Sequence, residues 1–199
     1  EVPAVENLPE VVSFKKKGNG CLEIYWRQEE GVEGPELKAT VRFKKDRPSL
    51  ADWYIEAEGL GGLGVKAIRF PLINGVKPQN EKDELALGVY TGRLYRNPWS
   101  LASEDKPLSI RRETGYQAMQ VNVLYNPETD GLYWGTEDID AWYKIYDLEV
   151  YPDRAQFYIA HYLRLDIDSC SYCTPYPSVI GVFKGDWIDA AGLYGQWGR

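Results

Sequence analysis

The stretch "ELKATVRFKK" alternates without a break: Leu37, Ala39, Val41 and Phe43 fall on one side, Lys38, Thr40, Arg42 and Lys44 on the other. Successive side chains of a strand point to opposite faces, so this period buries one face and wets the other, as in an antiparallel sheet. "DWYIEAEG" continues the pattern after the turn "DRPSLA". "QAMQVNVLY" sets Met119, Val121, Val123 and Tyr125 against Gln120, Asn122 and Leu124, and "GLYWGTED" follows across "NPETDG". That is a hairpin pattern. "AWYKIYDLEVY" and "AQFYIAHYLRL" are two long strand patterns joined at "PDR", a second hairpin. About ten to twelve such segments, spaced by Gly, Pro, Asn and Asp turns, predict an all-β antiparallel sandwich.

The tail changes period. "GDWIDAAGLYGQW" places Trp187, Ala190, Ala191, Tyr194 and Trp197 at helical spacing. Asp186 is suited to the N-cap, and Asp189 to the positive end of the helix. Gly192 and Gly195 each weaken the helix by up to about 1 kcal/mol relative to Ala, so it needs a tertiary partner. The expected organisation is a β-sandwich over 1–184 and a C-terminal helix over 185–199. One long irregular region is expected from Asn74 to about Thr114, and loops of that length in a compact domain are functional or mobile. "GLGGLG" at 59–64 joins two strands and lacks the helix and lysine of a phosphate loop, so it reads as a turn.

The balance of 23 basic against 30 acidic residues gives a formal charge of −7. No basic stripe survives that balance, so nucleic acid is not an expected partner. Lys15-Lys16-Lys17 runs into Gly18 and Asn19 and reads as the flank of a hairpin turn. No apolar run approaches a membrane span. The first residue is Glu1, not Met, and the expectation is a piece of a longer product.

Cys170 and Cys173 form a C-x-x-C, but the one histidine, His161, and the third cysteine, Cys21, do not complete a zinc pattern. Unreactive thiols or a local disulfide are expected. His161 lies in line with Phe157 and Ile159 and reads as a packed core residue, which leaves no catalytic triad. Glu137, Asp138 and Asp140 in "TEDID", or Asp166 and Asp168 in "DIDSC", have the oxygen ligands for calcium but not the spacing of a known loop. Solvated turns are the default reading of both groups, and no cofactor is expected.

Aromatic residues are abundant: 7 Trp, 15 Tyr and 5 Phe. Tyr90, Arg93, Tyr95, Arg96, Asn97 and Trp99 fall within ten residues. Sugar rings present C–H faces that stack on aromatic rings, and their hydroxyls pair with planar groups such as Asn and Arg. Domain interfaces favour Trp, Tyr and Arg as well. Tyr95, Arg96, Asn97 and Trp99 are therefore candidates for a loop reaching glycan or a neighbouring domain. Trp134 and Trp142 are candidates for a stacking platform.

A series of motifs then adds a resemblance. "IRFPLING" at 68–75, "YRNP" at 95–98, "MQVNVLYN" at 119–126, "GLYWGTED" at 131–138, Lys144 and the closing "GVFKGDWIDAAGLYGQW" occur in order. Over about residues 20–199 this series resembles the N-terminal β-sandwich region of bacterial multidomain glycoside hydrolases. In that group the sandwich is similar to the galactose-mutarotase supersandwich, and the final helix leads into a (β/α)8 catalytic barrel. The catalytic carboxylates belong to that barrel, so the resemblance implies no catalytic residue here. It maps the group's acid and lysine onto Asp138 and Lys144, for which a structural charge pair is expected.

The resemblance implies a non-catalytic, carbohydrate-associated domain that packs against a barrel in the same or another chain, in a secreted or periplasmic setting. Two alternatives stand beside it. One is a free-standing carbohydrate-binding module for a polysaccharide. The other is a mutarotase-like epimerase or a lyase, which would want histidine and carboxylate partners in one cleft.

Overall fold

The computed structural model describes residues 11–18, 20–31, 33–163 and 170–198. Fourteen strands and one α-helix are formed among them. The larger sheet contains β1 (Val11–Lys17), β2 (Cys21–Arg27), β3 (Glu36–Phe43), β4 (Leu50–Glu58), β6 (Glu84–Val89), β7 (Arg93–Arg96), β9 (Gln117–Tyr125), β10 (Gly131–Thr136), β13 (Ser171–Cys173) and β14 (Ser178–Phe183). Its order is β1-β2-β3-β4-β14-β10-β9-β6-β7, with β13 also paired to β4. The smaller sheet contains β5 (Ala67–Val76), β8 (Leu108–Glu113), β11 (Lys144–Val150) and β12 (Ala155–Tyr162), ordered β5-β12-β11-β8. Every recorded pairing is antiparallel, including the β9–β10 and β11–β12 hairpins. The fold is the all-β antiparallel sandwich that the alternation predicts.

The main core lies between the sheets. Leu85, Leu87, Leu124, Trp134 and Ile180 of the larger sheet meet Ile110, Tyr146, Leu148, Phe157 and Ile159 of the smaller one. Trp134 stacks on Phe157 with centroids 4.5 Å apart. A second cluster forms on the opposite face of the larger sheet, where Val121, Val123, Tyr125, Tyr133, Val179, Phe183 and Leu50 pack with Ala190 of helix α1 (Trp187–Trp197). The alternation along β9 is therefore real, yet both of its faces are covered.

The helix begins as its sequence dictates. Asp186 accepts from the Ile188 N–H at 2.7 Å, and Asp189 accepts from the Asp186 N–H at 3.0 Å, a closed capping box. Its packed positions are Ala190, Leu193 and Tyr194. Trp187 sits a turn earlier and is 47% exposed. Cβ atoms on Gly192 and Gly195 would meet nothing within 4 Å, so these glycines serve no close approach. At the far end of the helix the buried Arg47 donates to the Leu193 carbonyl at 3.3 Å, a cation placed where the helix dipole favours it.

Two expectations change. The span from Asn74 to Thr114 is not one irregular loop, because it contains β6, β7 and β8. Leu85, Leu87 and Val89 alternate inward there, within 5% of full burial. The strand is short and flanked by charged and glycine-rich turns, so pairing with β9 decides it rather than local pattern. Gly88 is required in it: a Cβ would lie 2.2 Å from the Met119 carbonyl oxygen. Phe43, assigned to the buried side of β3, is 60% exposed at the last position of that strand.

"GLGGLG" forms the turn between β4 and β5, with Gly59, Gly62 and Gly64 all at positive φ. Among the described residues β1 is a free edge of the larger sheet. Val12 and Phe14 are exposed there, next to Lys15, Lys16 and Lys17.

Candidate functional site

The loop that carries Tyr95, Arg96, Asn97 and Trp99 is held by one buried carboxylate. Asp83 is 3% exposed. Its Oδ2 accepts from Trp99 Nε1 at 2.8 Å and from the Gln79 N–H at 2.8 Å. Its Oδ1 accepts from Asn126 Nδ2 at 2.8 Å and the Asn80 N–H at 3.3 Å. The Asp83 carbonyl accepts the Asn97 N–H at 2.8 Å. Asn126 is fully buried. Three separated segments, the turn before β6, the "YRNPW" stretch and the β9–β10 turn, thus converge on Asp83.

Trp99 is consequently a core residue, 6% exposed, in the first turn of a short 3-10 helix spanning Pro98–Leu101. Trp134 is 1% exposed. Neither indole face is open to a sugar, so the expected platform loses Trp134 and the expected loop contact loses Trp99. Asn97 caps the 3-10 helix at φ 44°, and its carbonyl accepts from Ser100. Tyr95 is half-buried, with its hydroxyl accepting from Arg93 Nη1 at 3.0 Å. Arg96 is exposed and lies 3.5 Å from Glu84. Trp142 is half-buried between β10 and β11, away from the "YRNPW" loop in sequence and engaged through its backbone. The structure does not assemble the six expected sugar contacts into one surface.

A second buried polar group sits at one end of the inter-sheet core. Lys144 and Asp138 are 0% and 3% exposed, with Nζ–Oδ2 at 2.5 Å. Asp138 also accepts the Asp140 and Trp142 N–H groups at 3.0 and 2.7 Å. Lys144 donates to the Trp142 carbonyl at 2.9 Å and lies 4.3 Å above the Tyr176 ring. Burial lowers the Lys144 pKa, and Asp138 opposes the shift. This is the structural charge pair expected of the two residues. His161 faces Lys144 across the β11–β12 ladder. Its Nδ1 is 2.8 Å from the Tyr176 hydroxyl and its Nε2 2.6 Å from the Phe70 carbonyl. Burial pushes its pKa down to about 4, against the Phe70 hydrogen bond and with help from Lys144. A fully enclosed, neutral imidazole has no route to a substrate, which removes the histidine that an epimerase would require.

Glu137 points the other way from Asp138. Lys44 Nζ lies 2.8 Å from its Oε2, and Arg47 Nη1 2.5 Å from its Oε1. Asp52 is 2.7 Å from Lys44 as well. The Glu137 carboxylate is therefore engaged by protein cations and that of Asp138 by Lys144 and two backbone N–H groups, and the described residues bring together no cluster of metal-ligating side chains. Asp166 and Asp168 lie outside the described residues. Cys170 and Cys173 are not joined by a disulfide.

Sequence reading missed Asp83, Asn126, Tyr176 and Arg47. Polar residues in turns carry no periodic signal, and only the tertiary fold brings these four to their partners.

The open surface lies around the β6–β7 turn. An apolar groove of about 300 Å³ runs between that turn, β9 and α1, lined by Gly88, Tyr90, Met119, Val121, Trp187 and Ala190 among others. Trp187, 47% exposed, borders that groove, and Ile188, next to it in the helix, is 60% exposed. A second cleft of about 300 Å³ lies on the other side of Tyr90.

No family model and no curated protein matches the chain. Solved structures do. The fold is similar to part of alpha-N-acetylgalactosaminidase NagBb from Bifidobacterium bifidum in three forms. The ligand-free form matches with a TM-score of 0.60 at 9% identity, the GalNAc complex with 0.58 at 12%, and a quadruple mutant with 0.59 at 11%. The matches cover 95%, 92% and 92% of this chain, but only 30%, 29% and 29% of those chains. At such identities the likeness is one of fold: the chain has the fold of a segment of a glycoside hydrolase, about three-tenths of that enzyme's length.

Proposed function

We propose that this chain is a non-catalytic, carbohydrate-associated domain of a glycoside hydrolase, of the galactose-mutarotase-like sandwich type, that packs against a catalytic barrel in the same or another chain. The observation that carries the reading is the fold likeness, which extends over more than nine-tenths of this chain and under a third of the enzyme. The ordered motifs point the same way. Catalysis is left to the barrel because the buried acids among the described residues, Asp83, Glu137, Asp138 and Asp147, are each engaged by structural partners. His161 is sealed in the core. Trp187 and Ile188 leave apolar surface open at the start of the helix, and exposed aromatic and aliphatic side chains on one element mark contact surfaces suited to a barrel.

The test uses the complete gene product. Glycosidase activity, on aryl α-N-acetylgalactosaminides among other aryl glycosides, should be absent from residues 1–199 alone. It should fall in the full-length enzyme when Trp187 and Ile188 are replaced by Ser. Turnover by the isolated chain, or full activity of an enzyme lacking residues 1–199, would overturn the reading.

A further inference from the structure

The β6–β7 turn holds an aromatic residue at a positive-φ position. Tyr90 has φ 40°, a left-handed backbone that bulky side chains rarely adopt, and the residue is 63% exposed. Residues kept in such conformations concentrate at functional sites. The Tyr90 N–H donates to the Tyr116 carbonyl at 3.1 Å, and the two rings meet edge to face with centroids 5.3 Å apart. Tyr116 is 45% exposed. Two half-open phenol rings from different loops are thereby fixed at one angle.

The cleft beside them, about 300 Å³, is lined by Arg93, Arg111, Arg112 and Glu113 as well. That volume is at the low end for small-ligand sites, about 300–1,000 Å³. Three guanidinium groups against one carboxylate is a local reversal of sign in a chain whose formal charge is −7. Arg111 is drawn toward Asp147 at 3.6 Å. Arg112 is half-buried, on the inward-facing side of β8 with Leu108 and Ile110. Its recorded hydrogen bond is to the Arg111 carbonyl at 2.7 Å, and no carboxylate among the described residues pairs with it. Arg93 spends one donor on the Tyr95 hydroxyl. Glu113 faces the Tyr143 hydroxyl, whose titration is pushed up by desolvation and then by that carboxylate. A guanidinium carries five N–H donors in a planar fork that fits carboxylate and sulfate oxygens. Arg112 and Arg93 therefore keep donors unspent around a cleft walled by two aromatic rings.

We propose that this cleft binds an anionic sugar unit, bearing a carboxylate or a sulfate. Its acid group is held by Arg112 and Arg93, and its C–H face rests on the Tyr90–Tyr116 pair. The proposal rests on the carbohydrate reading above and narrows its ligand class. A single charged unit fits, whereas a polyanion such as nucleic acid would meet the acidic remainder of the surface.

Calorimetric or NMR titration of the chain tests it with glucuronate, N-acetylneuraminate and galactose 6-sulfate, against glucose, galactose and inorganic sulfate. An acidic sugar should bind at least about tenfold more tightly than its neutral counterpart, and should weaken as salt screens the pair. Arg112→Gln and Arg93→Gln should each cost about tenfold, with unchanged circular dichroism and thermal midpoint. Tyr116→Ala should cost several-fold. If inorganic sulfate binds as tightly as the sulfated sugar, the cleft is an anion site only and the sugar assignment fails. Equal binding of acidic and neutral sugars, indifferent to both arginine variants, overturns the anionic site and leaves the carbohydrate reading standing. Absence of any sugar binding, while full-length activity still depends on the domain, overturns the site and confines the domain to packing against the barrel.

Discussion

Trp99 donates its indole N–H to Asp83 Oδ2 at 2.8 Å inside the core, and through this bond the loop after β7 is tied to the turn before β6. The same carboxylate takes Asn126 and two backbone N–H groups. Four donors converge on its two oxygens, and Asp83 forms no ion pair among the described residues.

Asp83→Ala should accordingly destabilise the fold by about 3 kcal/mol or more, because it strands the Trp99 and Asn126 donors in a buried site. Asp83→Asn should cost less, about 1–2 kcal/mol, since one amide oxygen still accepts. Urea denaturation gives both values. A red shift of tryptophan emission in the alanine variant would report the loosened indole, and stability equal to wild type would refute the hub.

His161 sets a pH dependence. Its folded pKa of about 4 lies below the ordinary 6.5. Between these values the unfolded chain binds a proton that the folded chain refuses, so acid favours unfolding. The contribution is complete above about pH 6.5 and is lost as pH falls toward 4. It amounts to about 3 kcal/mol, an order-of-magnitude figure. Carboxylates also titrate in this range, so the comparison is with His161→Gln. The stability difference between the two proteins should shift steadily in favour of the variant from pH 7 to pH 4.5, and a constant difference would contradict the assignment.

The Lys144–Asp138 pair should behave as a unit. Lys144→Met leaves Asp138 buried without its cation and should cost about 3–5 kcal/mol. Lys144→Met combined with Asp138→Asn should cost much less than the two single changes summed. A double-mutant cycle on urea midpoints measures the coupling, and additive losses would show that the pair is not coupled.

The helix should separate stability from docking. Ala190 is 1% exposed among Val123, Tyr125, Tyr133 and Phe183. Ala190→Leu should overpack that site and cost about 1–3 kcal/mol. Trp187→Ser, at a half-open position, should change the stability of the isolated chain by less, about 1 kcal/mol at most. Equal losses at both positions would mean that the helix is seated differently.

The strands that could be read from sequence were those whose alternation ran long enough to show, such as "ELKATVRF", "QAMQVNVLY" and "KIYDLEV". β6 escaped because a six-residue strand beside a glycine kink shows too few periods, and pairing with β9 determines it. The helix and its cap were legible from Asp186 and Asp189, since capping is local chemistry. What lies under the helix was not legible. The alternation of β9 shows two faces but cannot tell that Val123 meets a helix while Leu124 meets another sheet. The Asp138–Lys144 pair entered through the resemblance. Trp99 and Trp134 were assigned to the surface because an indole suits both a core and a binding face, and only tertiary packing decides which. Arg112 and Tyr116 gave no motif, as they meet Tyr90 and Arg93 only once the end of β8 in the smaller sheet is brought against the β6–β7 turn of the larger one.

The lysines beside the free edge of β1 have a role of their own. A strand with no second neighbour among the described residues, carrying the exposed Val12 and Phe14, is a template on which another chain can add, the first step of edge-to-edge aggregation. Lys15, Lys16 and Lys17 place charged side chains at one end of that edge, Lys17 3.3 Å from Glu23, and charge on an exposed edge disfavours the addition of another strand. The run that in sequence looked only like a solvated turn flank therefore sits where charge opposes growth of the sheet beyond its own chain.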